Sequence, residues 1–316
     1  MTALVFLGLD QVPAGVGPTV ATVGMFDGVH RGHQALLRRV TEKAAAVDAV
    51  PAAVTFDRHP LEVLRPEAVP PLLSTLPERI ELLGAAGMDL LLVLEFDHAL
   101  SQVSADQFAT RVLFDALGAR AVVVGENFRF GNRAKGDVAL LATLGAERGV
   151  EAVGVPLHAD ERGEAISSTR IRAELARGDV RAAGFSLGRP YAVTGPVVKG
   201  AGRGRALGVP TANVQVGERI ALPAFGVYAG RVAIEHGQPV PAAINVGVSP
   251  QFDGEETRVE AYLLDFDGDL YGRELSVRFE HRLRGEQVFA GVDELVAKMR
   301  EDIAETRRLL DGPTGS

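Results

Sequence analysis

The chain has 316 residues, of which 47% are hydrophobic and 23% charged, as in a globular protein long enough for two domains. Its 33 basic and 41 acidic residues give a formal charge of −8, which argues against a general electrostatic grip on nucleic acid or anionic lipid. It contains no cysteine, which excludes disulfides, cysteine zinc sites, iron–sulfur clusters and thiol catalysis. No apolar run reaches about 18 residues, and residues 1–10 lack the positive charge of a secretory signal, so we expect a cytoplasmic location.

The first half of the chain alternates between predicted strands and predicted helices. Short runs rich in Val, Leu and Ala indicate strands, and apolar residues at helical spacing indicate helices between them. This alternation is typical of an α/β domain with a mostly parallel sheet, in which ligands bind beyond the carboxyl ends of the strands. The predicted strands are 19–25, 52–56, 90–96, 121–125 and 152–156, and the predicted helices are 34–47, 78–86, 105–117, 138–148 and 169–177.

The pattern changes near residue 187. Strands follow one another without helices, which predicts an antiparallel β-barrel or sheet, and an amphipathic terminal helix follows at 293–310. A cluster of Gly184, Ser186 and Gly188 places the boundary there, giving domains of 1–186 and 187–316. Both carry more acidic than basic residues. The predicted strands are 191–198, 226–234, 241–246, 259–265 and 274–279.

A turn rich in glycine and histidine lies between the first predicted strand and the first predicted helix of the first domain. Its sequence is Gly24-Met25-Phe26-Asp27-Gly28-Val29-His30-Arg31-Gly32-His33. Its glycines let the main chain approach a phosphate closely, and the N-terminus of the next helix favours an anion. His30 and His33 can both donate hydrogen bonds to phosphate oxygens. Two exposed turn histidines, or a metal pair lacking an obvious further ligand, are the alternatives that spacing alone leaves open.

The same turn resembles that of nucleotidyltransferases and, more specifically, that of the prokaryotic bifunctional riboflavin kinase/FAD synthetase family. Three further segments resemble the family in the expected order: 55–60 (Thr-Phe-Asp-Arg-His-Pro), 125–131 (Gly-Glu-Asn-Phe-Arg-Phe-Gly) and 166–172 (Ile-Ser-Ser-Thr-Arg-Ile-Arg). The resemblance implies a Rossmann-like nucleotidyltransferase domain that transfers the adenylyl group of ATP to FMN and releases pyrophosphate. Such a transfer needs positioning and charge neutralisation rather than a covalent nucleophile.

The resemblance also implies roles for individual residues of the first domain. Alternative roles remain open for some of them. The hydroxyls of residues 167–169 could cap a helix, Asn127 could cap a turn, and His59 could simply end a strand. Arg170 and Arg172 would hold the departing pyrophosphate. The residues expected to be catalytic are His30, His33 and Arg170; those expected at ATP or its phosphates are Gly24, Phe26, Asp27, Gly28, Ser167, Ser168, Thr169 and Arg172; those expected at the nucleotide or flavin are Asn127 and His59.

The second domain contains a glycine-rich basic loop that begins at Lys199 and is followed by Pro210-Thr211-Ala212-Asn213. It is not a P-loop, since Gly-Lys-Ser/Thr is absent, and Arg205 stands where the dinucleotide fingerprint requires its third glycine. Composition alone favours a mobile surface loop. The Pro-Thr-Ala-Asn run, however, resembles the riboflavin kinase signature, which implies that Thr211 and Asn213 hold Mg²⁺ and ATP phosphates. The loop residues expected at phosphates are Lys199, Gly200, Gly202, Arg203, Gly204 and Arg205.

Glu260 lies near the start of the predicted strand 259–265. A carboxylate there can accept the proton of a primary alcohol, and the family pattern assigns it to the riboflavin 5′-hydroxyl. An exposed strand glutamate paired across the sheet is the alternative. The acidic run 265–269 does not begin a calcium loop, because Leu270 and Ser276 stand where such a loop requires glycine and glutamate; the run predicts a hairpin turn instead.

Together the matches span residues 19–310 and predict an enzyme that phosphorylates riboflavin to FMN and adenylylates FMN to FAD. The expected partners are ATP with Mg²⁺, riboflavin and FMN, with FAD as product and neither nucleic acid nor membrane. The oligomeric state stays open, a homo-oligomer included. The alternatives are a nucleotidyltransferase for another phosphorylated alcohol, a flavin-sensing binding protein, and a nucleic-acid-binding barrel, which the acidic balance and few aromatics disfavour.

Overall fold

The computed structural model describes residues 3–156, 158–200, 208–235, 237–251 and 254–310. The chain divides into two compact units, residues 1–168 and 169–316. The domain boundary predicted between residues 186 and 187 lies within the second unit, at the end of a helix. Within the described ranges, no helix is both long enough and apolar enough to cross a membrane.

The first unit is built on a six-stranded parallel sheet, as the alternating pattern predicts. The strand order is β1-β4-β3-β2-β5-β6, so the chain leaves β2 to one side first and returns to pair β5 on its other side. The carboxyl ends of β2 and β5 therefore flank a topological switch point, where ligands of such sheets bind. The strands are β1 Leu4–Leu7, β2 Thr19–Val23, β3 Val50–Phe56, β4 Leu90–Leu94, β5 Ala119–Gly125 and β6 Glu151–Val155.

Helices cover the sheet because its strands are apolar on both faces. Leu37 and Val40 of the first helix, at helical spacing, belong to the same buried cluster as Val20 and Ala53 of the sheet. The helices are α1 Arg31–Ala46, α2 Leu61–Leu64, α3 Leu76–Ala85, α4 His98–Gln102, α5 Ala105–Phe108 and α6 Val138–Ala146, with π-helical turns at Ala109–Ala116 and 3₁₀ turns at Leu9–Gln11, Asp27–Val29, Pro66–Ala68 and Asn132–Ala134. The predicted helix 105–117 begins after Ser104, whose Oγ caps it by accepting the Gln107 N–H at 3.2 Å.

The second unit contains a closed six-stranded antiparallel barrel of order β10-β11-β8-β7-β12-β9 and ends in a helix, confirming the predicted class. Alternate side chains fill the interior, which includes Val214, Val246 and Val259. The strands are β7 Tyr191–Val198, β8 Ala212–Val214, β9 Gly226–Ile234, β10 Val240–Gln251, β11 Gly254–Leu263 and β12 Glu274–Arg284. The helices are α7 Ser168–Ala176, which begins at the last residue of the first unit, α8 Val180–Leu187 and α9 Val292–Leu310.

The hairpin turn predicted at residues 265–269 is wrong. The strands on either side of it, β11 and β12, are not paired: β11 pairs with β10 and β8, whereas β12 pairs with β7 and β9. The connection therefore crosses between separated strands. A short polar segment between two strand patterns indicates a reversal of the chain, but it does not reveal which strands become neighbours when a barrel closes.

Candidate functional sites

The histidine turn follows β2 at the switch point of the parallel sheet. Phe26 adopts the left-handed conformation with φ 50°, and Gly28 has φ 76°. His30 then returns to extended backbone and caps α1, its Nδ1 accepting the His33 N–H at 3.3 Å. Because Nδ1 is the acceptor, a neutral His30 carries its proton on Nε2, which is the nitrogen that can donate to a ligand.

The rings of His30 and His33 are stacked. Their centroids are 3.6 Å apart with an interplanar angle of 19°. Gly32 permits this packing, since a Cβ there would lie 3.0 Å from both the His30 ring and the Ile166 carbonyl. Any larger residue at position 32 would push the ring of His30 away. The two histidines predicted from the sequence are thus brought together as a pair.

His33 is held neutral. Burial lowers its pKa well below the ordinary value of 6.5, and the charge of His30 lowers it further. Its Nδ1 is buried and forms no hydrogen bond with any residue that the structure describes, and its ring meets the Phe26 ring edge-on at 5.3 Å. A bound anion would reverse this electrostatic preference by stabilising the imidazolium form.

Buried hydrogen bonds hold the histidine turn in place. Asp27 Oδ1 accepts the N–H groups of Leu73 at 2.9 Å and Ser74 at 3.2 Å, and Ser74 Oγ accepts the Gly28 N–H at 3.0 Å. On the other side, Ser168 Oγ donates to the Asp27 carbonyl at 3.1 Å. Asp27 therefore stabilises the loop that carries the histidines; the phosphate contact expected of it stays a prediction.

The other first-unit candidates lie at the same edge of the sheet. Phe26 is buried, and its ring covers Gly24, where a Cβ would lie 3.1 Å from the Phe26 Cζ. Asn127 is exposed just beyond the carboxyl end of β5. His59 follows β3 and is half-buried, its Nδ1 accepting the Leu61 N–H at 3.1 Å. The position of Asn127 suits a ligand in the crevice.

Arg170 and Arg172 lie on α7 within the second unit. The Arg170 Nε is ion-paired with Glu174 Oε1 at 2.9 Å, and Ser186 Oγ also donates to that oxygen at 3.3 Å. Glu174 is 3% exposed, and none of the described residues hydrogen-bonds to its Oε2. The predicted pyrophosphate arginine is therefore oriented by a buried carboxylate, which sequence reasoning missed.

Sequence reasoning also missed Arg79 on α3, which is 1% exposed. Its Nη1 donates to the carbonyls of Met25 at 3.0 Å and Phe56 at 3.1 Å, and to Thr55 Oγ1 at 3.3 Å. The only sequence signal nearby was the Thr75–Glu78 capping box that begins α3. That box predicts where the helix starts but not that an arginine is buried in it.

The second candidate site is a row of side chains on the outer face of the barrel. Glu260 of β11 lies opposite Asn213 of β8 on one side and opposite Asn245 of β10 on the other. Their strand neighbours point inward and are buried, so the three polar side chains share the outer face. Residues directly opposite have Cβ atoms about 5 Å apart, close enough to share one ligand.

Asn213 offers an acceptor that the described residues do not use. Its Oδ1 is buried and has no hydrogen-bond partner among them. The Asn213 amide also covers Gly200, where a Cβ would lie 2.3 Å from its Nδ2. An unused amide oxygen beside a carboxylate fits the hard oxygen ligands that Mg²⁺ prefers. In the described part of the chain, no group of three or more His, Asp or Glu residues forms a metal site of its own.

A pocket of about 170 Å³ adjoins this row. Lys199, Asn213 and Arg258 lie in its wall and make it a place where an anion would be neutralised. Thr211 is half-buried just before β8. Gly202, Arg203, Gly204 and Arg205 lie outside the described residues, so their expected phosphate contacts stay predictions.

Comparisons with known proteins agree with two separate modules. A model of the FAD synthetase family matches residues 14–170, and one of the riboflavin kinase family matches residues 187–310. A bifunctional riboflavin kinase/FMN adenylyltransferase of Pseudomonas fluorescens is 41% identical over 293 residues, 92% of each chain. Its namesake in Escherichia coli K12 is 37% identical over 90% of each chain. A solved structure described as the macrolide-efflux protein of Streptococcus pneumoniae is 33% identical, covers 97% of this chain and 99% of that one, and superposes with a TM-score of 0.86.

Proposed function

The chain belongs to the bifunctional riboflavin kinase/FMN adenylyltransferase family, and from this premise we propose how its two sites carry out two successive reactions. Riboflavin and ATP give FMN and ADP; FMN and a second ATP then give FAD and pyrophosphate. The observation that carries the proposal is that each family module contains its own polar site, the histidine turn in one and the Glu260 row in the other.

For the kinase reaction, Glu260 is the general base. Its carboxylate accepts the proton of the riboflavin 5′-hydroxyl while the hydroxyl oxygen attacks the γ-phosphorus of ATP and ADP leaves. Its neighbour Asn245 is exposed on the same face and is placed to contact the reacting alcohol or phosphoryl group. Lys199 in the pocket wall adds positive charge for the phosphates.

The residues around Asn213 fit a magnesium ion. Asn213 Oδ1 and the hydroxyl of Thr211 would hold it together with oxygens of ATP. When bound, Mg²⁺ neutralises phosphate charge and so favours nucleophilic attack. The expected contacts of Gly200, Gly202, Arg203, Gly204 and Arg205 with the same phosphates belong to this proposal.

For the adenylyl transfer, a phosphate oxygen of FMN attacks the α-phosphorus of ATP and pyrophosphate leaves, so no covalent enzyme intermediate is needed. His30 donates its Nε2–H to an oxygen of the reacting phosphate, where negative charge grows in the transition state. His33 lies against His30 and is a second donor, which is strengthened when bound phosphate favours its protonated form. The main chain at Gly24 and Gly28 and the hydroxyls of Ser167 and Ser168 are proposed around the same phosphates.

The remaining predicted residues complete the adenylyl site. Arg170 and Arg172 neutralise the departing pyrophosphate, and Thr169 at the start of α7 adds a hydroxyl. Asn127 and His59 contact the nucleotide or flavin. An enzyme that consumes two ATP per product is expected in the cytoplasm, with only small molecules as partners and with its oligomeric state open.

The proposal is tested by incubating the purified chain with riboflavin, ATP and Mg²⁺ and separating the flavins over time. We expect FMN to appear first and FAD to follow, with one pyrophosphate released per FAD. A binding protein that had lost turnover would retain riboflavin without consuming ATP. A nucleotidyltransferase for another alcohol would leave riboflavin unphosphorylated. Either result would refute the proposed function.

A further inference from the structure

Arg79 is a buried cation that the two proposed reactions do not use directly. It is 1% exposed, and the acceptors of its Nη1 are uncharged: two backbone carbonyls, one hydroxyl and the Met25 sulfur at 3.3 Å. Burial lowers the pKa of Arg79, and the charges of Asp27 and Asp57 oppose that effect. An arginine nevertheless keeps its charge under these conditions.

Stability alone is a poor reason for a cation at this place. Taking a charge out of water is costly, and well-packed apolar residues in place of buried charges are often as stable or more stable. The Nε of Arg79 is also buried and has no hydrogen-bond partner within the described ranges. The position therefore carries a desolvation cost that packing by a methionine of similar length would avoid.

The contacts of Arg79 are concentrated where the histidine turn begins. The Met25 carbonyl belongs to the residue directly before Phe26, the first left-handed residue of the turn, and the Phe56 carbonyl ends the adjacent strand β3. One nitrogen thus joins the carboxyl ends of two neighbouring strands of the sheet. Thr55 Oγ1, which also binds Arg79, donates to the same Met25 carbonyl at 3.2 Å.

The fixed point at Met25 is coupled to the histidine pair by short, rigid steps. From Met25 the chain passes through Asp27 and Gly28, which are held by buried hydrogen bonds, to His30. The ring of His30 is confined between His33 and Gly32. A shift of the main chain at Met25 has little room to be absorbed before it reaches the His30 ring. Misplacement of a reacting group by about 1 Å can cost a factor of about 100 in rate.

We propose that Arg79 is a positioning residue for the adenylyl transfer: its guanidinium fixes the main chain at Met25 and thereby the place of His30 and His33. The inference rests on the proposed function of that turn. Arg79 itself touches neither ATP nor FMN, but it sets the rate of their reaction. The binding of the two substrates depends on Arg79 much less.

The test compares Arg79→Met and Arg79→Lys with Thr19→Val in the full-length chain. Thr19 is a matched control, because its Oγ1 donates to the Leu117 carbonyl at 2.9 Å and so makes a buried hydrogen bond at the opposite, amino end of β2. Rates of FAD formation from supplied FMN are measured as functions of ATP and FMN concentration. FMN formation from riboflavin, a reaction of the other unit, reports on intact protein in each sample.

We expect Arg79→Met to lower kcat for FAD formation by about 10- to 100-fold with the KM values changed less than about threefold. Arg79→Lys should fall between it and the parent, and Thr19→Val should keep the parent's kcat. A folded Arg79→Met with the parent's kcat, or an equal loss in Thr19→Val, would overturn the proposal. Should Arg79→Met fail to fold, the proposal stands or falls on whether Arg79→Lys loses kcat. A parent chain that makes no FAD would instead refute the proposed function.

Discussion

Glu260 lies directly opposite Asn213 in the antiparallel pair of β11 and β8, and both side chains point away from the barrel interior. The pairing sets a carboxylate that can accept a proton beside a buried amide oxygen that has no hydrogen-bond partner in the described part of the chain. Because both residues are held by strand register rather than by a loop, their separation is fixed before any substrate binds. This arrangement suits a base and a metal ligand that act on the same ATP.

Replacement of Glu260 by glutamine should stop the first reaction only. The amide cannot accept the proton of the riboflavin 5′-hydroxyl, so FMN formation is expected to fall by about 100- to 10,000-fold. FAD formation from supplied FMN should stay within about twofold of the parent, because the proposed adenylyl site is built around the histidine turn and does not include Glu260. Flavins separated after each incubation give both rates. Glu274→Gln, an exposed glutamate on β12, is the control and should keep both activities. Retention of FMN formation in Glu260→Gln would exclude the general-base role.

The double variant His30→Ala with His33→Ala should show the opposite pattern. Loss of both imidazole donors removes stabilisation of charge on the reacting phosphate, and FAD formation is expected to fall at least about 100-fold. FMN formation from riboflavin should persist. His98→Ala alters an exposed histidine on α4 and provides the comparison. If the double variant made FAD at the parent's rate, the stacked pair would have no part in the transfer.

The half-buried His33, whose Nδ1 is fully enclosed, should make stability depend on pH in a defined direction. Its pKa in the folded protein lies well below the ordinary 6.5, so below that pH the unfolded chain binds more protons than the folded one. The free energy of unfolding is therefore expected to decrease as pH falls from about 6.5, with a slope from this group of at most about 1.4 kcal/mol per pH unit. Denaturant unfolding between pH 7.5 and pH 5.5, in the parent and in His33→Gln, measures it.

The variant should lose part of that dependence, whereas His98→Gln should follow the parent. A steeper or unchanged slope in His33→Gln would mean that the imidazole is not held neutral in the fold. Saturating ATP with Mg²⁺ should also reduce the slope in the parent, because the bound phosphates favour the protonated imidazole.

Asn213→Leu keeps the shape of the side chain and removes its unused oxygen. If that oxygen binds Mg²⁺, the Mg²⁺ concentration needed for half-maximal FMN formation should rise by about tenfold. FAD formation in the same sample serves as the control and should keep its Mg²⁺ requirement. The measurement is a Mg²⁺ titration at constant free ATP. An unchanged requirement for FMN formation would remove Asn213 from the metal site.

Local motifs predicted much of the fold and pointed to both candidate sites, whose binding roles stay predictions. Gly24–His33 after a strand indicated a phosphate-binding turn, and alternation of strands and helices indicated the parallel sheet, because both signals are written in consecutive residues. The register that sets Glu260 between Asn213 and Asn245 cannot be read from consecutive residues, because it depends on which strands pair when the barrel closes. For the same reason the segment 265–269 was misinterpreted as a hairpin.

Buried charges were the other part that the sequence did not reveal. Arg79 is buried only because the ends of β2 and β3 present carbonyl groups to it, and Glu174 only because Arg170 and Ser186 surround one of its oxygens. In the sequence both look like charged residues of surface helices. Their partners lie on other segments or depend on how the helix is oriented, which only the folded chain defines.

A mixture of Glu260→Gln with the His30→Ala, His33→Ala double variant, given riboflavin, ATP and Mg²⁺, tests most directly whether two independent sites act in sequence. Neither protein alone should make FAD from riboflavin, because one cannot form FMN and the other cannot adenylylate it. We expect the mixture to make FAD after a lag in which free FMN accumulates. Formation of FAD by either variant alone, or its absence from the mixture, would contradict the account.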